Sequence, residues 1–365
     1  MKIVHVQVIP KMSGVQQISL DIFDGLKDKN VQKFVICGEN DNKNEIEQFI
    51  ERFNACGVEV IIVPSMRRNI GMHDYVCFKE LYKIFKKHKF DIVHTNSTKP
   101  GIIARIAARF AGIQNIVHTV HGIAFHKEAG FSKRCFYYFV ENFAALFGHE
   151  NITVNKYYIT FYPLVKSKVI YNGVDFSKLS PVPKIKCDKI HFAFFARLDE
   201  QKNPLEFIKA VKIVHDNATL GHRARFTLAG HGELYDECKA LIGKLQLEDV
   251  IAMPGWIKDK DTFLNDVDVI CQPSKWEAFG LVFVEAAYFS IPSIARAVEG
   301  VPEVILDGYS GKLYTGNEKQ LAQAILTFLE KPSLISEYGI NAKNYSCKMF
   351  DKERMVKEYS EVYKI

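Results

Sequence analysis

A chain of 365 residues is long enough for two domains, each burying its own core, and 48% hydrophobic with 25% charged residues excludes a disordered or fibrous protein. The net charge of +6 is uneven: residues 1–175 hold 23 Lys+Arg against 16 Asp+Glu, the remainder 25 against 26. Attraction to nucleic acid, anionic lipid or a phosphorylated substrate would therefore fall on the first half, although a run such as Lys83, Lys86, Lys87 and Lys89 is equally an ordinary solvated helix face.

In chain order, the first half alternates short β-rich runs with helical patterns. Strands are expected at 2–9, 33–37, 59–63, 91–95 and 115–119, with helices at 15–29, 44–56, 75–88 and 101–111 between and after them. That alternation predicts a parallel sheet with crossover helices. A long aromatic helix is expected at 131–148, followed by strands near 151–154 and 168–170. Tyr171-Asn172-Gly173-Val174-Asp175 reads as a turn, and Ser180-Pro181-Val182-Pro183 with the polar residues after it as a linker. A second βα series then has strands at 189–195, 226–229, 250–253, 267–272 and 293–295, closing with helices at 318–329, 333–344 and 351–363. The expected fold class is α/β, with two doubly wound parallel-sheet domains and ligands beyond the carboxyl ends of the strands.

The eight cysteines (Cys37, Cys56, Cys77, Cys135, Cys187, Cys238, Cys271 and Cys347) form no C-x-x-C pair, which argues against zinc and a disulfide framework and for a reducing compartment. Met1-Lys2 leads straight into a strand without a signal peptide, and no apolar run approaches the roughly 20 residues of a membrane span. The expected location is the cytoplasm.

The stretch 275–303 holds two glutamates, Glu277 and Glu285, eight positions apart around an apolar run. Glu277 falls where a strand gives way to a loop. Ala278, Phe279 and Gly280 are read as opening a helix, with Glu285 about two turns along it and deeper in the wall of a cleft. A helix N-terminus there suits an anion or sugar hydroxyls. Upstream, Ala196-Arg197-Leu198-Asp199-Glu200-Gln201-Lys202 sets two cations just past a strand end. Arg197 offers a fork for phosphate and Lys202 a point charge; a surface ion pair of Arg197 with Asp199 or Glu200 is the plainer alternative. Ser13 and Gln16 have capping-box spacing in the loop after the first strand, and Gly14 permits close backbone approach. His118 and His121 in H-T-V-H-G, and His94 and Asn96 in D-I-V-H-T-N-S, end strands. Gly230 sits in a strand-to-helix turn, and Trp256 in a loop after a strand. Asp266-Val267-Asp268 superficially resembles the metal-binding D-x-D of another transferase fold, but it leads into a buried strand and is read as a helix end, so no metal is expected.

Together the first loop, H-T-V-H-G, Y-N-G-V-D, A-R-L-x(3)-K, E-x7-E and G-V-P-E-V-I-L-D-G-x-x-G resemble the retaining nucleotide-sugar transferases of glycosyltransferase family 4 over nearly the whole chain. Two departures stand out: Ala196 replaces the family's usual glycine, and the Gly-Gly of the first loop is reduced to Ser-Gly. The resemblance implies a GT-B fold, with two Rossmann-like domains facing a central cleft. Residues 1–175 would bind the acceptor and 176–345 the nucleotide sugar, while 346–365 cross back to the first domain. It further implies transfer of a hexose or N-acetylhexosamine from a nucleotide diphosphate sugar, expected to be UDP-linked, with no metal and no cofactor beyond that co-substrate. Glu277, His121, Arg197 and Lys202 would be the catalytic set. Gly14, Ala278, Phe279, Gly280, Glu285, Gly230 and Trp256 would hold the donor, and Ser13, His94, Asn96 and His118 the acceptor side.

The H-T-V-H-G-I-A-F-H stretch and the basic aromatic helix after it resemble bacterial O-antigen and capsule transferases that act on lipid-diphosphate-linked glycans. Lys133 and Arg134 with Phe131, Phe136 and Tyr137 would rest on the inner leaflet of the cytoplasmic membrane, making the protein peripheral there; a core helix with solvated ends fits the same residues. No nucleic acid partner is expected. A UDP-sugar 2-epimerase on the same fold and a non-catalytic nucleotide-sugar-binding subunit are the alternatives. The basic pair and Glu277 weigh against both.

Overall fold

The computed structural model describes residues 1–27, 30–183 and 188–365. The expected end of the first helix at Lys29, the polar residues of the expected linker at 184–187, and Cys187 lie outside the described residues. The chain forms two compact units, Met1–Gly173 with Lys352–Ile365, and Val174–Asp351.

The first unit runs β1 (Lys2–Val6), α1 (Gly14–Gly25), β2 (Gln32–Cys37), α2 (Lys43–Ala55), β3 (Val58–Ile62), α3 (His73–His88), β4 (Ile92–Asn96), α4 (Thr98–Phe110), β5 (Asn115–Val120), α5 (Phe131–Ala145), β6 (Glu150–Thr153) and β7 (Ser167–Val169). Its 7-stranded parallel sheet has the order β3-β2-β1-β4-β5-β6-β7. Successive side chains of a strand leave opposite faces, so each strand serves two layers. Val4, Val6, Val93 and Ile116 enter an apolar core with Leu81 and Phe85 of α3 and Ala104, Ala107 and Ala108 of α4.

The second unit runs β8 (Ile190–Phe195), α6 (Pro204–His215), β9 (Ala224–Ala229), α7 (Tyr235–Lys244), β10 (Ile251–Gly255), α8 (Lys260–Asp266), β11 (Val269–Gln272), α9 (Leu281–Tyr288), β12 (Ser293–Arg296), α10 (Val301–Val304), β13 (Gly311–Tyr314), α11 (Glu318–Glu330) and α12 (Ser333–Met349). Its 6-stranded parallel sheet has the order β10-β9-β8-β11-β12-β13. Phe192, Phe194, Phe207, Val211, Leu321, Ile325 and Phe328 form the centre of its core. β13, at the sheet edge, has no counterpart among the expected strands.

The last helix, α13 (Lys352–Tyr363), belongs to the first unit. It covers the face of that sheet opposite α3 and α4. There His5 of β1 and His94 of β4 are register partners. The Tyr363 hydroxyl lies 2.9 Å from His5 Nε2 and 2.5 Å from His94 Nδ1, and the Tyr359 hydroxyl lies 3.0 Å from Thr119 Oγ1.

Candidate active site

In each sheet the order reverses direction at one point: between β8 and β11 in the second unit, and between β1 and β4 in the first. Loops leaving neighbouring strands diverge there and open a crevice at the carboxyl ends, the usual ligand position of a doubly wound sheet.

In the second unit the two loops at that point are laced together. Lys275 N donates to the carbonyl of Gln201 at 2.8 Å, and Gln201 Nε2 donates to the carbonyl of Trp276 at 3.0 Å. Lys275 Nζ reaches Glu200 Oε1 at 3.2 Å. Lys202 Nζ, on the loop after β8, donates to Glu277 Oε2, on the loop after β11, and the two side chains are only 14% and 10% exposed. Arg197 is the open partner of this set. Its guanidinium pairs with Asp199 Oδ2 at 2.9 Å, yet the side chain stays 58% exposed. One cation is thus fixed and one is accessible, a combination suited to a multiply charged anion.

The loop is also braced from below. Asn203 takes a left-handed backbone, φ 55°, and its Nδ2 donates to Glu206 Oε2 at 2.7 Å. Glu206 also accepts from the Tyr314 hydroxyl at 2.7 Å and pairs with Arg296. Burial pushes the Glu206 carboxyl up from its ordinary pKa, while these donors oppose the shift. Glu206 and Arg296 escape a sequence reading. Arg296 stands at the end of β12 as Arg197 stands just past β8, and that likeness is the one signal of it.

The helix after Glu277 begins later than its sequence suggests. α9 starts at Leu281, with Gly280 as its N-cap at φ +83°, so Ala278 and Phe279 belong to the loop. A side chain at Gly280 would come within 2.5 Å of the Phe283 ring, which leaves glycine as the residue that fits. Phe279 is 3% exposed and packs edge-on against Phe350, ring centroids 5.1 Å apart. Glu285 consequently lies little more than one turn into α9, not two. The expected depths of the two glutamates are also reversed. Glu277 is the buried one, and Glu285, 21% exposed, pairs with Lys260 Nζ at 2.8 Å. Lys260 lies on α8, and nothing in the sequence pattern points to that partner.

Gly230, with φ +144°, lies so close to Ala196 that a Cβ would overlap the Ala196 carbonyl oxygen. It shapes the loop that carries Arg197. Trp256 follows β10 at the sheet edge and is 64% exposed.

In the first unit Ser13 caps α1 from an extended backbone, but makes no side-chain cap bond to the helix. Its Oγ donates instead to Gln16 Oε1, and Gln16 Nε2 turns to the carbonyl of Ile9 at 3.3 Å, so the capping box does not form. Ser13 and Gly14 are exposed. Asn96 ends β4 and is followed by Ser97 at φ 69°. Asn96 Nδ2 donates to the His94 carbonyl at 3.4 Å, which turns Oδ1 toward His121 Nε2 at 3.0 Å. An amide oxygen only accepts, so His121 carries its proton on Nε2 and presents Nδ1 as an acceptor. Burial lowers its pKa to about 4, and the ring is neutral.

His94 and His118 are interior residues. His94 is 0% exposed, with its ring nitrogens against Tyr363, Thr119 and His5. His118 is 2% exposed, with Nδ1 against Thr95 Oγ1 at 2.9 Å and its ring lying over Gly101. Neither side chain is open to an acceptor, because a histidine near a strand end can face either layer and these two face the helices.

Among the described residues no three His, Cys, Asp or Glu side chains gather as a metal site, and no helix is long and apolar enough to cross a membrane. Asp266, the last residue of α8, is held by Arg225 at 2.5 Å, and Asp268 accepts from the His191 N–H at 2.9 Å, so this pair ties elements of the sheet together.

Residues 12–178 match the family Glycosyltransferase Family 4, and residues 175–345 match Glycosyl transferases group 1. The chain is 31% identical to the UDP-Gal:alpha-D-GlcNAc-diphosphoundecaprenol alpha-1,3-galactosyltransferase of Escherichia coli, over 99% of this chain and 96% of the relative. It is 22% identical to the N,N'-diacetylbacillosaminyl-diphospho-undecaprenol alpha-1,3-N-acetylgalactosaminyltransferase of Campylobacter jejuni, over 96% of each chain. Anabaena HepE, solved in complex with UDP and glucose, superposes with a TM-score of 0.81 at 20% identity, covering 100% of this chain and 99% of the other. These relatives are transferases, and neither an epimerase nor a non-catalytic subunit draws support from them. The protein belongs to the group 1, family 4 glycosyltransferases and has their GT-B fold.

Proposed function

We propose that this glycosyltransferase moves a hexose or N-acetylhexosamine from a UDP-sugar to a lipid-diphosphate-linked glycan, retaining anomeric configuration and using no metal, in assembly of a bacterial surface polysaccharide. The acceptors and donors in the names of the E. coli and C. jejuni relatives support the pathway, and the UDP bound to HepE supports the nucleotide. Residues 1–175 would serve the acceptor and 176–345 the donor, with 346–365 returning to the first.

The reading rests on one observation: Lys202 and Glu277 meet at the switch point of the second sheet with Arg197 open beside them. The donor diphosphate lies on Arg197 and Lys202, aided by Gly14. As the bond from the anomeric carbon to the diphosphate oxygen breaks, negative charge grows on that oxygen and these cations stabilise it. The same oxygen takes the proton of the acceptor hydroxyl, whose oxygen bonds the anomeric carbon on the face just vacated. Glu277 and the N–H groups of Ala278, Phe279 and Gly280 hold the hexose hydroxyls. His121 Nδ1 accepts from one more, as a neutral ring. Glu285 accepts from the ribose hydroxyls, Trp256 offers an exposed face to the base, and Gly230 keeps the wall close. Ser13 and Asn96 stand on the acceptor side, while His94 and His118 act from the interior by fixing the strands that carry them.

The test is a panel of nucleotide sugars with purified protein in EDTA, with and without a lipid-diphosphate monosaccharide, read by mass spectrometry. A mass gain on the acceptor with a UDP-sugar, lost in Glu277→Ala and Arg197→Ala, is expected. An isomerised nucleotide sugar formed without acceptor, or binding with no turnover across the set, would overturn the reading.

A further inference from the structure

Two loops of the first unit present the Asn96–His121 pair. Asn96 ends β4, and Thr98 opens α4 two residues later; His121 follows β5, and Ala124 lies three residues beyond it. The loops meet through Asn96 Oδ1 and His121 Nε2, 3.0 Å apart. They are joined a second time by a side chain that neither of them contains. Glu141 of α5 is 5% exposed, and its carboxylate accepts from Thr98 Oγ1 at 2.8 Å, from the Tyr162 hydroxyl at 2.5 Å and from the backbone N–H of Ala124. One buried carboxylate thus holds both loops, each at a point two or three residues from the side chain it presents.

Burial pushes the Glu141 carboxyl up from its ordinary pKa, while the Tyr162 and Thr98 hydroxyls, the Arg105 charge and the Ala124 N–H oppose the shift. Arg105 of α4 is itself 2% exposed, and its Nε and Nη1 have no hydrogen-bond partner among the described residues. Each buried charge therefore depends on the other. Apolar packing already seats the second loop, where the Phe125 ring stands edge-on to Tyr138 and Phe161 at 5.5 and 5.6 Å. Packing is not directional, whereas hydrogen bonds converging on two fixed oxygens set which way the loops' polar groups point. We propose that Glu141 is a positioning residue for sugar transfer: by holding Thr98 and Ala124 it keeps Asn96 against His121 Nε2, so that His121 Nδ1 remains the acceptor nitrogen for a hexose hydroxyl. It acts through His121 and touches no substrate. This rests on the role given to His121 in the proposed function.

The test compares Glu141→Gln, Thr98→Val and His121→Ala in the full chain, with His121→Ala also combined with each of the other two. Thr98→Val removes one tether and leaves Glu141 with Arg105, so it carries the test should Glu141→Gln, which isolates the Arg105 charge, fail to fold. With a UDP-sugar and a lipid-diphosphate monosaccharide, kcat should fall about 30-fold in Glu141→Gln and about 5-fold in Thr98→Val, from misplacement of His121. KM for the donor should stay within about two-fold, because no proposed diphosphate or nucleoside contact is altered. On the His121→Ala background neither change should cost more than about two-fold further, since nothing is left to orient. Losses that multiply in the double variants overturn the inference in favour of a purely structural Glu141. A second readout does not depend on turnover. In protein carrying isotope-labelled histidine, the nitrogen NMR signals of His121 should report the Nε2–H tautomer in wild type and move toward the averaged signals of a free imidazole in both single variants. An unchanged His121 spectrum in both overturns the inference as well. Wild type that transfers no sugar would strike the proposed function, and the spectra would then decide alone whether Glu141 sets the His121 ring.

Discussion

Lys202 and Glu277 close an ion pair between the loops after β8 and β11, at the point where the second sheet reverses its strand order. Both side chains are mostly withdrawn from water, so each charge depends on the other. Under the proposed function, a diphosphate arriving there would meet a lysine already held in place, and the accessible Arg197 would bring the charge that Glu277 offsets on Lys202.

Removing one member of this pair should therefore harm folding as well as turnover. Lys202→Met and Glu277→Leu are each expected to destabilise the second unit by about 2–4 kcal/mol, near the range for a broken buried pair. The double variant should recover most of that loss, since no lone charge stays buried, while transferring no sugar. Urea unfolding of the four proteins checks this, and a double variant less stable than either single one would refute the pairing.

Arg197 should behave in the opposite manner. With its side chain 58% exposed, its pair with Asp199 is a surface contact worth under about 1 kcal/mol. Arg197→Met is expected to leave the unfolding midpoint unchanged and to lower kcat by about 10²–10³-fold, the cost of one lost donor to a developing charge. A variant with near-normal kcat would remove Arg197 from the leaving-group role.

Much of this arrangement is legible in the chain. Alternating β-rich and helical runs mark most strands of both sheets, and A-R-L-x(3)-K with E-x7-E marks the loops that meet. What stays hidden depends on contacts between distant residues. The Lys260–Glu285 and Glu206–Arg296 pairs join separate elements, and no local pattern requires them. The start of α9 is displaced because Gly280 adopts a left-handed conformation that a glycine permits but does not announce. His94 and His118 lie inside β4 and β5 and His121 just past β5, yet the sheet layer decides which is reachable. The aromatic run in α5 suits a buried helix as well as an exposed one until its anchoring side is known.

Two glycines of the second unit should respond differently to alanine. Gly255, φ +77°, has open space around the position of a Cβ, so Gly255→Ala carries only the backbone cost of about 1–2 kcal/mol. Gly230→Ala drives a methyl into the Ala196 carbonyl and should cost more than about 3 kcal/mol, or prevent folding. Thermal unfolding of the two variants decides whether Gly230 is needed for close packing.

Acid should weaken the first unit. Burial is the main cause that lowers His5 to about 3 and His121 to about 4, and His94 and His118 are lowered as well. A histidine with a depressed folded pKa binds its proton more readily unfolded, so stability is full above about 6.5 and falls as pH drops from there toward the folded value. Each such ring contributes up to about 1.4 kcal/mol per pH unit in that window. The urea midpoint should fall between pH 7.5 and pH 5.5, and less steeply in His5→Gln, whose neighbours are His94, Tyr363 and Phe23. A midpoint independent of pH over that range would contradict this account.

The same buried layer predicts how α13 is held. Tyr363 is 3% exposed and its hydroxyl serves both His5 and His94, so Tyr363→Phe leaves His5 Nε2 and His94 Nδ1 only each other, at a long 3.3 Å, away from water. That change should cost about 1–3 kcal/mol, the penalty of unsatisfied buried polar groups. At the neighbouring contact, Tyr359→Phe leaves Thr119 Oγ1 with His94 Nε2 at 2.8 Å as a partner, so its cost should stay near 1 kcal/mol. Hydrogen exchange of the α13 amides reads the difference directly. Faster exchange confined to α13 in Tyr363→Phe, with Tyr359→Phe close to wild type, is the expected pattern, and equal protection in both variants would show that apolar packing alone holds the helix.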